Sequence, residues 1–231
     1  MKKILIFSAI AAIGFAGCKK SDKVSSKVVT VSNPIIMFTS NQYVSIPVGG
    51  TAPAAAATAY DSVLKESVTA VFDSGTVDNT TPGLYVKWYH ATNSNGYTAV
   101  AAAFVAVTNI SASVDVSGPY TRTANGDSIY VTKLGTGLFM TNNVAGVIAD
   151  EPSPLIIPAV FALLDDSTMV MPAQPAALPA AVLIALPQQP TDLQPIEGAG
   201  ATINTTAPIT FSYVIDNNTN FGTSTRTFVH N

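Results

Sequence analysis

Two hydrophobic patterns run along this chain. The first is one block near the N-terminus, residues 4–15, interrupted only by Ser8 and Gly14. The second begins at Val28 and consists of short runs rich in Val, Ile, Thr, Tyr and Phe between clusters of Gly, Asn, Asp and Pro. No 3.6-residue period is sustained in this second region, and β-branched and aromatic runs bounded by turn formers predict strands. Strands are expected over 28–31, 43–48, 67–72, 84–91 and 97–107. The 84–91 run sets Tyr85, Lys87 and Tyr89 against Leu84, Val86 and Trp88, the alternation of a strand with two different faces. Asn95-Gly96 follows as a hairpin turn, because Gly tolerates positive φ. The Ala-rich stretch 99–106 reads as the returning strand and not as a helix. Its flanks are Val and Phe, and the hairpin turn precedes it.

About seven strands in about 80 residues fit an immunoglobulin-like sandwich. The expected organisation is all-β: a leader at 1–17, a tether at 18–32, an Ig-like sandwich over 33–109 and a second antiparallel β-rich domain over 110–231. Two apolar pieces of the second half, 155–164 and 176–186, contain Pro158 and Pro179 and are shorter than the ~20 residues a spanning helix needs. They read as strands or extended loops.

Composition narrows the classes. Only 11% of the 231 residues are charged and 48% are hydrophobic, which excludes an acidic or basic disordered chain. Heptads of Ala, Glu, Lys, Leu and Arg are absent, which excludes a coiled coil. The net charge of −3 conceals a division. Six of the eleven basic residues precede Val28, and the rest of the chain has five bases against thirteen acids, a net −8. An acidic body is the wrong sign for a nucleic-acid partner, and none is expected.

The N-terminal block follows Lys2 and Lys3 and ends in Phe15-Ala16-Gly17-Cys18. A basic start, a short apolar region and small residues before a cut site make a secretory signal. Cys18 is the chain's one cysteine, directly after the Ala-Gly pair. This arrangement resembles the lipobox of bacterial lipoproteins, with Phe15 in place of the usual Leu. The resemblance implies cleavage before Cys18, a diacylglycerol thioether on its sulfur and acylation of the new amino terminus. Lys19, where an Asp would direct inner-membrane retention, implies an outer-membrane destination in a Gram-negative cell. The polar run 19–27 then reads as a flexible tether.

A second resemblance lies in the body. Val44-Ser45-Ile46-Pro47-Val48-Gly49-Gly50, Ala57-Thr58-Ala59-Tyr60-Asp61, Gly75 to Tyr85 with Pro82-Gly83 as a turn, and Trp88 to Gly96 together are similar to the Ig-like modules of Bacteroidota surface lipoproteins. The likeness covers about 34–108. Ala52-Pro53-Ala54 stands where that family often has Asp-Pro-Gly. Val116 to Thr123, Ile129 to Phe139 and the pair 209–215 and 224–229 are similar to the β-rich domains of unknown function that follow those modules. The family's association with glycan importers implies a non-catalytic accessory protein of glycan or nutrient capture. Its expected partners are the membrane, through the lipid, and a glycan or an outer-membrane protein complex. The other reading is a structural or assembly lipoprotein, with the Ig-like module as spacer and the C-terminal domain docking a protein.

Chemistry is sparse along the sequence. His90 and His230 lie in different halves with no metal-ligand spacing, and no nucleophile elbow, phosphate loop or dinucleotide fingerprint occurs. No catalytic residue, metal or cofactor is expected. Asp150-Glu151 and Asp165-Asp166 are sequential neighbours, unlike the facing carboxylates of glycosidases, and read as solvated turns. Sugars stack on exposed rings, so Tyr85, Tyr89 and Tyr97 are candidate glycan contacts, whereas Trp88 reads as a core residue. Asp61-Ser62-Val63, Asp127-Ser128-Ile129 and Asp166-Ser167-Thr168 resemble the Bacteroidota O-glycosylation sequon, which makes Ser62, Ser128 and Ser167 candidate acceptors.

Overall fold

Alternation along the chain becomes strand after strand, and among the described residues there is no helix. The computed structural model describes residues 31–146, 156–175, 196–218 and 222–231. The signal segment, Cys18 and the tether to residue 30 lie outside the described residues, as do Asp150-Glu151 and the 176–186 run. The fold is all-β, and Ser32–Asn231 is one compact unit holding a two-sheet sandwich and a closed barrel.

The sandwich uses β1 (Ile35–Ser40), β2 (Tyr43–Ile46), β3 (Ala56–Asp61), β4 (Glu66–Val68), β5 (Val71–Ser74), β6 (Gly83–Thr92) and β7 (Thr98–Val107). One sheet has the order β1-β3-β4 and the other β2-β7-β6-β5, with β2 parallel to β7 and the other pairs antiparallel. The chain crosses between sheets at Asn41, whose φ of 55° is in the left-handed region that Asn tolerates better than most residues. The expected 67–72 strand is in fact two, β4 in one sheet and β5 in the other.

β6 and β7 form the predicted hairpin in unbroken register from Gly83↔Val107 to Thr92↔Thr98. Gly96 takes φ 84° at the turn, and Asn93 Oδ1 accepts the amides of Asn95 (3.1 Å) and Tyr97 (2.9 Å). Gly83 is not at positive φ. It simply opens β6, so the expected turn geometry there is not the reason for a glycine.

The barrel uses β8 (Gly118–Arg122), β9 (Ser128–Gly135), β10 (Leu138–Thr141), β11 (Ala159–Leu163), β12 (Met169–Gln174), β13 (Ile196–Asn204), β14 (Thr210–Asn218) and β15 (Gly222–His230). Each pairs antiparallel with its successor, and β15 returns to β8 through Phe228↔Arg122, Val229↔Thr121 and His230↔Tyr120. This is an up-and-down barrel, and closure removes the unpaired edges that an open sheet would present. Eight strands enclose a lumen that side chains can fill. Tyr120, Phe139, Phe161, Phe211, Tyr213 and Phe228 fill it, all essentially buried. The Phe211 ring sits at the centre, 4.9 Å from Tyr120 and 5.0 Å from Phe228 between centroids. Tyr120 satisfies its hydroxyl by donating to the Val116 carbonyl at 2.7 Å.

Sandwich and barrel share a seam. Leu84, Ala102, Phe104 and Ala106 from one face of β6 and β7 pack on Leu138, Val160 and Ala162 from the outer wall of β10 and β11. The opposite face carries Val105 and Val107 into a cluster with Ile46. The mixed sheet is therefore buried on both faces, which explains why β7 is apolar at every position from Ala102 to Val107. It also corrects the expectation for Trp88. The tryptophan is on the barrel-facing side of β6 with Leu84 and Val86, half-buried, and does not line the sandwich interior. Tyr85 and Tyr89 take the inner face instead.

Candidate functional site

One edge of the mixed sheet is β5, which pairs only with β6. Its four residues are all exposed, Phe72 by 49%. The Phe72 ring leans edge-on against Tyr89 at 5.6 Å, which fixes it while leaving much of its surface free. Beside it, Thr51, Ala52, Gly75, Thr76, Val77, Asn79 and Lys87 complete an open groove of about 480 Å³. Gly75 is required there. Its φ is 109°, and a Cβ would stand 2.1 Å from the Val86 carbonyl oxygen. A side chain would push β5 away from β6 and deform the groove. Asn79 is held by donating to the Gly50 carbonyl at 2.7 Å, and Asp78 orders the adjoining turn by accepting from Thr80 and Thr81. Those bonds hold the Asp78 carboxyl below the usual carboxylate range.

A second open groove of about 400 Å³ lies where β4 meets the β5–β6 edge, between Glu66, Thr69, Val71, His90 and Ser94. On this edge His90 Nδ1 and Asp73 Oδ1 are 2.5 Å apart. Behind it is a buried polar knot. Asp61 accepts from Ser32 Oγ (2.8 Å), Asn93 Nδ2 (2.7 Å) and the amides of Val63 and Leu64 (3.0 and 2.9 Å). Burial pushes its carboxyl up, but these bonds together outweigh burial and hold it below its ordinary value. The knot ties Ser32, the first residue of the folded unit, to β3 and the β6–β7 turn.

The residues expected to contact glycan are not assembled into one platform. Tyr89 is 7% exposed and clamped between Phe38 and Phe72, so its ring has no free face and it is not a sugar platform. Tyr85 is half-buried against the Ile46 cluster, with its hydroxyl donating to the Thr81 carbonyl at 2.9 Å. Tyr97 is half-buried at the hairpin turn. Trp88 lies on the other face of β6. The exposed ring on this edge is Phe72, which no sequence pattern singled out. Alternation distinguishes the two faces of a strand but not an edge strand from a central one.

Ser62, Ser128 and Ser167 are all exposed. Ser167 Oγ donates to Asp165 Oδ1 at 2.9 Å within a turn where Asp165 also accepts the amides of Ser167 and Thr168, and those bonds lower its carboxyl to about 2. Asp165-Asp166 is thus a turn. His230 packs edge-on against Tyr120 at 4.8 Å, with Nε2 3.3 Å from the Ser117 carbonyl oxygen. Among the described residues no group of three His, Cys, Asp or Glu side chains is placed to hold a metal. No helix of the described residues is long and apolar enough to cross a membrane.

No family model matches the chain, and no curated protein matches it. Among solved structures it is similar to the crystal structure of the lipoprotein BT2262 from Bacteroides thetaiotaomicron, at 20% identity and a TM-score of 0.38, over 86% of this chain and all of that one.

Proposed function

We propose that the chain is an outer-membrane lipoprotein, anchored through acyl chains on Cys18, that serves as a non-catalytic accessory binding protein in glycan or nutrient capture. The observation that carries the anchor is the N-terminal sequence: two lysines, a short apolar block and the chain's one cysteine immediately after Ala16-Gly17. Several acyl chains hold a protein on a membrane stably where one does not. The compact unit that carries the sandwich and the barrel begins at Ser32, fourteen positions after that cysteine. The Phe72 groove supports the binding role. It joins an exposed ring to Asn, Thr and Lys side chains, the mixture that stacks on a sugar and bonds its hydroxyls.

Fractionation tests the anchor. Cys18→Ala should move the protein out of the membrane fraction, and unchanged retention overturns the lipid assignment. Affinity electrophoresis on neutral and acidic polysaccharides tests the capture. Retardation lost in Phe72→Ala is the expected result, and no retardation on any glycan refutes it. A second reading, a structural lipoprotein with the sandwich as spacer, is favoured by one observation. Ile35, Met37 and Tyr60 are 40–52% exposed on one face of β1 and β3, an apolar strip suited to a protein surface. Co-purification with an outer-membrane protein, abolished by Met37→Asp, would decide for it. The acceptor role of Ser62, Ser128 and Ser167 is tested by intact mass of the native protein, where no mass beyond lipid refutes it.

A further inference from the structure

The apolar filling of the barrel fails at one end, where two inward positions are arginines. On β8 the inward residues are Tyr120 and then Arg122; on β15 they are Phe228 and then Arg226. Arg226 stands opposite Tyr213 in the β14–β15 ladder, and Arg122 opposite Phe228 in the ladder that closes the barrel. Arg226 is only 7% exposed, while Arg122 is half-buried and gives the pair a route to solvent. The two positive charges are near enough to act on each other and on the Tyr213 phenol.

Their partners do not neutralise them. Arg122 Nη1 donates to the carbonyls of Gly146 (3.1 Å) and Ala145 (3.5 Å), and Arg226 Nη1 donates to Ser224 Oγ. The Nε of each arginine is buried with no acceptor. Tyr213 spends its own hydroxyl on the Val144 carbonyl. Among the described residues the ion pairs are His90–Asp73 and Lys133–Asp115, so neither arginine has a described carboxylate within ion-pair distance. Burial, and after it the field of Arg122, pulls the Arg226 pKa below its ordinary value. Two adjacent like charges with idle donors, set in a low-dielectric lumen, are costly to the fold unless a counter-charge joins them. A pair whose task was only to pack would be better served by apolar side chains, as in the rest of the lumen.

We propose that the Arg122–Arg226 end of the barrel is a binding site for a small oxyanion group, a carboxylate, sulfate or phosphate, held by the two guanidinium forks. Planar guanidinium groups match such oxygens with paired, charge-assisted hydrogen bonds, which lysine or an amide cannot reproduce. The site is distinct from the Phe72 groove, since it is inside the barrel and the groove is at the β5 edge of the sandwich.

Thermal unfolding of the full chain tests this, with sodium chloride replaced stepwise by sodium sulfate, phosphate or glucuronate at constant ionic strength. A ligand that binds only the folded state raises the unfolding temperature in a saturable way. The expected result is such a rise with at least one oxyanion and none with chloride. Saturation by sulfate or phosphate identifies a free inorganic ion as sufficient, whereas saturation by glucuronate alone identifies the acid group of a larger ligand. Arg226→Gln and Arg122→Gln should each weaken half-saturation at least about tenfold, and Arg226→Lys should weaken it while retaining the charge. Lys87→Gln, on the sandwich, should leave it unchanged. The proposal is overturned if none of the three anions gives a saturable rise, or if the rise persists in both glutamine variants. It is also overturned if Asp150→Asn with Glu151→Gln creates binding that the parent chain lacks, because the chain would then supply its own counter-charge.

Discussion

The barrel and the sandwich are made from the same kinds of residue, yet they treat apolar surface in opposite ways. The barrel turns its large side chains into a filled lumen, where Phe139, Phe161 and Phe228 have no exposed surface. Of its described large hydrophobics only Tyr130 stands out, at 51%. The sandwich exposes Ile35, Met37, Tyr60, Val63, Val71, Phe72 and Val100 by 40% or more. Closure is the reason. A closed sheet has one inside and no edges, whereas two short open sheets have four edge strands, and the β1-β3-β4 sheet leaves Ile35, Met37 and Tyr60 exposed on one face. Among the described residues, buried apolar surface therefore concentrates in the barrel and exposed apolar surface in the sandwich.

Four substitutions break or sharpen that contrast. The largest effect is expected in the lumen. Phe211→Ala removes the ring at the centre of the aromatic stack and should cost about 3–5 kcal/mol, read as a lower urea midpoint with an unchanged slope. Next is the seam. Leu84→Ala, which thins the contact between mixed sheet and barrel wall, should cost about 2–3 kcal/mol. Calorimetry should then resolve the single transition into two, with the sandwich melting first. One unchanged cooperative transition would show that the seam does not couple them.

The third concerns the polar knot. Asp61→Ala leaves Asn93 and Ser32 without their acceptor and should cost about 1–3 kcal/mol at neutral pH. The Asp61 carboxyl is depressed in the folded state, so its contribution is complete above the unfolded carboxylate value of ~3.9 and fades as pH falls through the lower folded value. The parent and the variant should thus converge in stability toward acid. A difference that grows on acidification would contradict the assignment. The smallest effect is at the groove, where Phe72→Ala should change stability by less than ~0.5 kcal/mol while abolishing any retention on glycan.

Much of the fold was legible in the residues. The β6–β7 hairpin could be placed because alternation, an Asn-Gly turn and a Val-flanked returning run all agree locally. The closing hairpin of β14 and β15 was expected from the resemblance of 209–215 and 224–229 to the β-rich domains that follow Ig-like modules, and the two strands pair as expected. Trp88 was misplaced because period-two alternation separates the faces of β6 without saying which one meets the other sheet and which meets the barrel. Tyr89 was misjudged by the same ambiguity, and Phe72 was overlooked because edge position is not a local property. Arg122 and Arg226 gave no sequence signal at all. They are more than a hundred residues apart, and only the β8–β15 closure turns both into one lumen.

The sequence alone determined the strand-forming class of this protein and its β6–β7 hairpin, because each follows from interactions among residues close together in the chain. Tertiary structure decided the rest. It wrapped eight consecutive strands into a barrel, buried both faces of the mixed sheet and collected two distant arginines at one lumen end. Those outcomes depend on pairings between remote segments, and short-range periodicity constrains the faces that are available but not the partners that cover them.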